Sequence, residues 1–293
     1  MFAATNNAPS PRTAPVIRQT DLQNLVGSIS IPPQPEIVRA LFEERTKDEP
    51  NIPRLVQLIG NDVGLAAAVL KTVNSPFYGL RHKIASIDQA VAMLGLKNIG
   101  TLVMGLALRT SVKIEGIERF WESASRSAQL AHLLARRMAL MQTQEAHLYV
   151  LFHDAAMPVL MQNIPAYRQT MQELGNAYWP HVTELEDARH NTNHAVVGGL
   201  LASNWGLPGT IRDAITYHHD LPAFLDARLP AEAMNLIALG HVAEKLESMI
   251  TDNLNDCEWD AFGDACLAHL GLDGEELLEL QDTARDFFGL GEI

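Results

Sequence analysis

A chain of 293 residues, 47% of them hydrophobic, can bury the core of one large domain or two smaller ones. Its formal net charge of −13 excludes a broad nucleic-acid footprint, which needs clustered Lys and Arg. Two cysteines, Cys257 and Cys266, exclude a disulfide framework or a four-cysteine zinc site and fit a reducing compartment, so a cytoplasmic location is expected. The acidic excess is concentrated at the end: residues 251–293 hold twelve acidic side chains and one basic, Arg285. Such a run is usually a solvated helix surface; the sharper alternative is a docking face.

Taken in order, residues 1–20 read as a flexible tail, lacking the apolar segment of a signal peptide. Ile31-Pro-Pro-Gln-Pro35 is an extended entry, since residues before proline avoid the helical region. Apolar residues then recur at three- and four-residue spacing nearly throughout, and strand-like alternation is scarce. The expected fold class is therefore all-α. The first helix covers 36–45. Asn51 caps a second that carries Pro53 in its first turn, and Asp62 caps a third ending near Val73. A turn-rich break follows at Val73-Asn-Ser-Pro-Phe-Tyr-Gly-Leu80. Ser86-Ile-Asp-Gln89 has the capping-box pattern and opens a helix ending at Leu94-Gly95, with another over 97–110. Lys97-Asn98 and the glycines make residues 90–108 too broken for a membrane span, and no membrane partner is expected.

The stretch from Ser111 to Gly116 is the best internal boundary. Beyond it the pattern predicts helices over 118–138 and 144–160, with Pro158 ending or kinking the latter. A short helix follows Pro165, then a loop near 178–180 and a segment to His190. Further helices cover 193–205, from Pro208 to His218-His219, 232–249, 259–270 and 274–288.

Chemistry gathers on a few of the eleven histidines. His82, His132, His147, His181, His241 and His269 are scattered and are assigned no role, a lone His being more often a surface or satisfied core residue. His190 and His194 stand at i, i+4, a zinc-compatible spacing on one continuous helix, but Asn191-Thr-Asn193 looks like a helix start that separates them. His153-Asp154 ends an apolar run, and a carboxylate there needs a cation, a metal or strong donors. With His194, His218 and His219 it forms a donor set suited to iron, manganese or zinc. A bound ion could acidify water for attack on phosphorus. The alternative is that these groups hydrogen-bond one another and tie helices together; spacing does not separate the two.

The chain resembles the HDOD proteins (HD-related output domain), a bacterial signalling module. The resemblance rests on Ile31-Pro-Pro, Asn61-Asp62, Leu70-Lys-Thr-Val-Asn-Ser75, Ile84-Ala-Ser-Ile-Asp-Gln-Ala90 and Met93-Leu-Gly95. It continues in Trp121, Phe152-His-Asp154, His194-Ala-Val-Val-Gly198, Trp205-Gly-Leu-Pro208 and Ala214-Ile-x-x-His-His219. It implies an N-terminal helical part, residues 21–113, packed on an HD-like helical bundle, residues 114–293, with acidic C-terminal helices. The related HD superfamily contains metal-dependent phosphohydrolases whose two-metal centre uses an early His, a His-Asp pair, a middle His, a His-His pair and a late Asp. Laid on that pattern, Ser123 replaces the early His and Glu244 the late Asp, and the Gly-Tyr-Pro motif of cyclic-di-GMP phosphodiesterases is absent. Asp154, His194, His218 and His219 remain as one complete single-metal set, and His153 belongs to the degraded half. Lys97, Arg126 and Arg136 are the cations available to a phosphate. The resemblance implies a non-catalytic output module working through contacts with signalling proteins. One alternative is a metal-dependent phosphohydrolase acting on a nucleotide or cyclic dinucleotide; a further one is a structural ion without turnover. The sequence leaves the oligomeric state open.

Overall fold

A computed structural model describes residues 29–80, 82–140, 143–176, 182–251 and 258–290. The expectations for the tail at 1–20, the loop near 178–180, His181 and Cys257 lie outside the described residues. Among the described residues all regular structure is helical, as the periodicity requires.

The N-terminal helices are α1 (Glu36–Arg45), α2 (Ile52–Asn61), α3 (Val63–Val73) and α4 (Ile87–Ser111). Their starts are set by side-chain caps. Asn51 accepts the Arg54 N–H at 3.0 Å and Asp62 accepts that of Leu65 at 2.9 Å, each cap contributing about 1 kcal/mol. Ser86 accepts from the Gln89 N–H at 3.2 Å, but the Gln89 carboxamide reaches back to the Ala85 N–H, one residue earlier than in a standard capping box. The Asn74 side chain closes the turn before α4, donating to the Leu70 and Ile84 carbonyls and accepting the Ile84 N–H at 2.7–2.8 Å. Gly95 (φ +75°) breaks α4 into the two segments that Leu94-Gly95 signals. By length and composition α4 could cross a membrane; here it is the core of this part, packed by α1, α2 and α3.

Next come α5 (Glu118–Arg137), α6 (Thr143–Phe152), α7 (Ala156–Asn163), α8 (Tyr167–Asn176), α9 (Val182–His190), α10 (His194–Asn204), α11 (Gly209–Tyr217), α12 (Leu221–Leu225), α13 (Ala231–Ile250), α14 (Trp259–Leu270) and α15 (Gly274–Phe288). The axis is α13, apolar nearly all round, which packs on α5, α6, α11, α14 and α15. The two parts meet where α6 lies on α4. They are also clasped at the entry: the Trp205 indole N–H donates to the Pro32 carbonyl at 2.9 Å, and the Gln34 amide to the Trp205 carbonyl at 2.6 Å. Ile31-Pro-Pro and Trp205-Gly-Leu-Pro, far apart in sequence, thus form one contact.

Three sequence expectations need correction. The single helix over 144–160 is two, separated by a turn at residues 153–155. Pro158 neither ends nor kinks it; it sits in the first turn of α7, where a missing N–H costs no helical bond. Finally, α11 stops at Tyr217, so His218 and His219 occupy the turn before α12, whose cap Asp220 accepts the Ala223 N–H at 2.8 Å.

Candidate metal centre

Four pieces of backbone deliver the cluster. The 153–155 turn supplies His153 and Asp154, the first residue of α10 supplies His194, the turn after α11 supplies His218 and His219, and α13 supplies Glu244. Asn193 starts α10 by accepting the Val196 N–H at 2.9 Å, which places His194 at the helix mouth. Gly198 lets α10 approach closely, since a Cβ there would sit 2.8 Å from Ile215 and 3.3 Å from the His153 carbonyl oxygen. His190 ends α9, bonds the Thr170 hydroxyl at 2.9 Å and does not share a face with His194, which removes the two-histidine zinc reading.

One carboxylate oxygen of Asp154 faces His194 Nε2 at 3.3 Å and His218 Nε2 at 3.6 Å; the other faces His153 Nε2 at 3.2 Å. His194 Nε2 lies 3.3 Å from His218 Nε2 and 2.7 Å from His219 Nε2. The donor atoms of Asp154, His194, His218 and His219 all fall within 4.8 Å of one another, as do those of His153, Asp154 and Glu244. His153 Nε2 meets the Glu244 carboxylate at 2.7 Å. Ser123 is a half-buried residue of α5 and brings no imidazole to that second group.

The outer nitrogens explain this convergence. His153 Nδ1 bonds the Val150 carbonyl and His218 Nδ1 the Ile215 carbonyl, both at 2.7 Å. His194 Nδ1 bonds Glu186 at 2.7 Å, and His219 Nδ1 bonds Glu258. A carbonyl or carboxylate facing Nδ1 accepts a hydrogen bond from Nδ1–H, so each ring, when neutral, presents a bare Nε2 lone pair inward. Glu186 is fully buried and also accepts the His194 N–H and the Tyr167 hydroxyl. Neither Glu186 nor Glu258 was singled out in the sequence. Glu186, in a polar segment eight residues before His194, carried only the hint that a buried imidazole needs an outer acceptor. His241, assigned no role, donates to the His218 carbonyl at 3.0 Å and stacks on Phe262.

Charge is divided unevenly. Burial works against the Asp154 carboxylate, but His153 and the bonds from His194 and His218 hold it well below the usual range. Burial also opposes protonation of His153 and His194. Asp154 and Glu244 nevertheless raise His153 well above its ordinary value, while Glu186 and Asp154 raise His194 to about 10. Burial and the neighbouring His219 push His218 down to about 3; burial and His194 push His219 well down. A proton on His194 Nε2 would face three acceptors at once.

An ion fits these donors. Ligands about 2.1 Å from one centre lie roughly 3.0–3.4 Å apart in six- and four-coordinate sites, close to the 3.3–3.6 Å separations among His194, His218 and Asp154; His219, at 2.7 Å from His194, must draw back by a few tenths of an ångström to join them.

A helical bundle carrying a histidine–aspartate cluster of this kind is an HD-type architecture. The family profile of the HDOD domain matches residues 31–221, and the chain belongs to that family. An uncharacterised protein of Treponema pallidum is 28% identical over 216 residues, 70% of this chain and 41% of that protein, so the chain spans less than half of that relative. Among solved structures, a phosphohydrolase candidate from Shewanella amazonensis superposes with a TM-score of 0.69 at 20% identity, covering 92% of this chain and 94% of its own. A candidate signal transduction protein from Marinobacter aquaeolei gives a TM-score of 0.64 at 24% identity, covering 92% and 66%. At these identities the two structures establish the fold.

Proposed function

We propose that this chain is a signalling module that acts through protein–protein contacts, with one divalent metal ion held by Asp154, His194, His218 and His219 as a staple between the 153–155 turn, α10 and the turn after α11. The observation that carries the ion is the convergence of the Asp154, His194, His218 and His219 donor atoms within 4.8 Å of one another, while Nδ1 of each of the three imidazoles faces an outer acceptor. Nε2 atoms gathered around a carboxylate in this way call for a cation, a proton or a metal. Three imidazoles and one carboxylate suit iron, manganese or zinc.

Support for a binding role rather than turnover comes from the other half of the centre. Ser123 stands where the HD pattern has its early histidine, leaving His153, Asp154 and Glu244 to supply a second ion's ligands. His153 is already engaged there by two carboxylates, Asp154 and Glu244. Hydrolysis of a phosphoester also needs a clamp for the phosphate, and Arg126, one of the available cations, is committed to Glu247 through two bonds of 2.6 and 2.8 Å. The fold itself is shared by proteins described as hydrolytic and as signalling, so fold alone does not decide.

Metal analysis of untagged protein beside Asp154→Ala tests the ion: about one equivalent is expected in the first and none in the second. A phosphoester panel with added Mn²⁺, Fe²⁺ or Zn²⁺ tests the rest. No turnover is expected; hydrolysis of a nucleotide or cyclic dinucleotide that Asp154→Ala abolishes would overturn the non-catalytic reading.

A further inference from the structure

Away from the histidine cluster, α5, α13 and α15 enclose a half-open trough of about 370 Å³. Its walls are Leu130, Leu134, Leu246, Leu280 and Ala284. These residues are buried, so the walls are fixed by the core packing behind them. The charge in the lining is one-sided. Arg136 and Arg137 edge the trough from the last turn of α5, whereas α15, the acidic helix, contributes Leu280, Thr283 and Ala284 and no charge.

Those two arginines have little to do within the chain. Among the described residues no carboxylate lies within ion-pair distance of Arg136. Arg137 approaches Glu279 only at 3.7 Å, with both side chains more than half exposed, a contact of small worth. The end of α5 does not repel an anion strongly, because its last carbonyls are taken. Met138, Ala139 and Leu140 donate to Leu134, Arg136 and Ala135 at 2.9–3.1 Å.

We propose that this trough is a binding site for a medium-chain amphiphilic carboxylate, its alkyl chain along the leucine wall and its carboxylate on Arg136 and Arg137. The size lies in the range of small-molecule sites, which are mostly apolar with a few polar groups that fix orientation. Guanidinium groups match a carboxylate in geometry as well as charge. The proposal is independent of the metal centre.

The probe is decanoate below its micellar concentration, titrated calorimetrically into the full chain, with decanol as the uncharged control. Saturable binding is expected, with decanol weaker by about tenfold or more. Arg136→Gln with Arg137→Gln, both exposed changes that leave the core intact, should bring decanoate down to the level of decanol. Leu280→Trp fills the trough and should abolish binding; Ala284→Leu is the smaller second filler if the first variant melts early. Absence of saturable decanoate binding, binding that survives both fillers, or equal affinity for acid and alcohol would overturn the assignment.

Discussion

The molecule contains two histidine neighbourhoods that the same residue type builds to opposite ends. In the first, His153, His194, His218 and His219 surround Asp154, and Glu186, Glu244 and Glu258 stand behind or beside them. In the second, His132 and His147 lie 6.4 Å apart, beside Phe77, whose ring meets Phe287 edge-on at 5.8 Å. Here the acceptor on His132 Nδ1 is the Thr143 carbonyl, and neither ring pairs with a carboxylate among the described residues. Burial therefore prevails: it lowers His132 despite the bond to the Thr143 carbonyl, and with the neighbouring His132 it lowers His147 to about 4. Proximity of imidazoles does not by itself gather metal donors. In the first neighbourhood Glu186 and Glu258 behind His194 and His219 fix the tautomer and orient the ring, as the Val150 and Ile215 carbonyls do for His153 and His218, and Asp154 and Glu244 favour positive charge in a buried place. The second neighbourhood instead joins the turn at 76–78 to the last helix by aromatic packing.

Removing the central carboxylate breaks this contrast most severely. Asp154→Ala should lose the ion and leave His153 and His194 without their shared anion. Breaking a buried pair typically costs about 3–5 kcal/mol, equivalent to a melting shift on the order of 10 °C in a domain of this size. Calorimetry of metal-loaded and chelated protein reads it: chelation should lower the wild-type midpoint and leave the variant's unchanged. An unshifted wild-type midpoint would sink the staple. Milder changes sharpen the comparison. Glu186→Gln and Glu258→Gln keep the shape of the outer groups but remove their charge, and each should weaken metal binding about 10–100-fold. Glu186→Gln should be the worse, since that carboxylate also receives the His194 N–H and the Tyr167 hydroxyl. His132→Gln, in the other neighbourhood, should leave metal affinity unchanged.

How much of this the sequence carries depends on the range of the cause. Local causes were legible: Asn51, Asp62, Ser86 and Asn193 cap helices in the structure as their side chains require. The all-helical fold follows from the apolar spacing in the same way. The 153–155 turn was missed because Ala155 and Ala156 continue a helical pattern, and Pro158 is as compatible with a first turn as with a kink. The convergence of Asp154, His194, His218 and His219 was legible through the family resemblance rather than through spacing. Glu186 was invisible for a different reason. It lies among Glu184, Asp187 and Arg189 in a segment with the composition of a solvated surface, and only the arrival of His194 and Tyr167 from neighbouring helices buries it. Glu258 hides likewise within the acidic C-terminal run, where the charge count favours a solvated face.

The smallest expected effect tests the second neighbourhood through pH. The folded pKa of His147, about 4, lies below its ordinary value of 6.5. As pH falls, the unfolded chain takes up the proton first. The contribution of neutral His147 is thus complete above pH 6.5 and is lost as pH falls from there toward 4. His147→Leu should flatten this part of the stability profile. The ring is only part-buried against solvent, so the expected change is less than about 1 kcal/mol per pH unit. Urea unfolding at pH 7 and pH 5 reads it as a difference between wild type and variant, in which the contribution of His218, also depressed by burial, cancels. The His132 ring touches the same cluster and is shifted in the same direction, so the double variant should flatten the window further. Identical pH profiles for wild type and both variants would show that desolvation does not set these two rings apart from the carboxylate-backed histidines around Asp154.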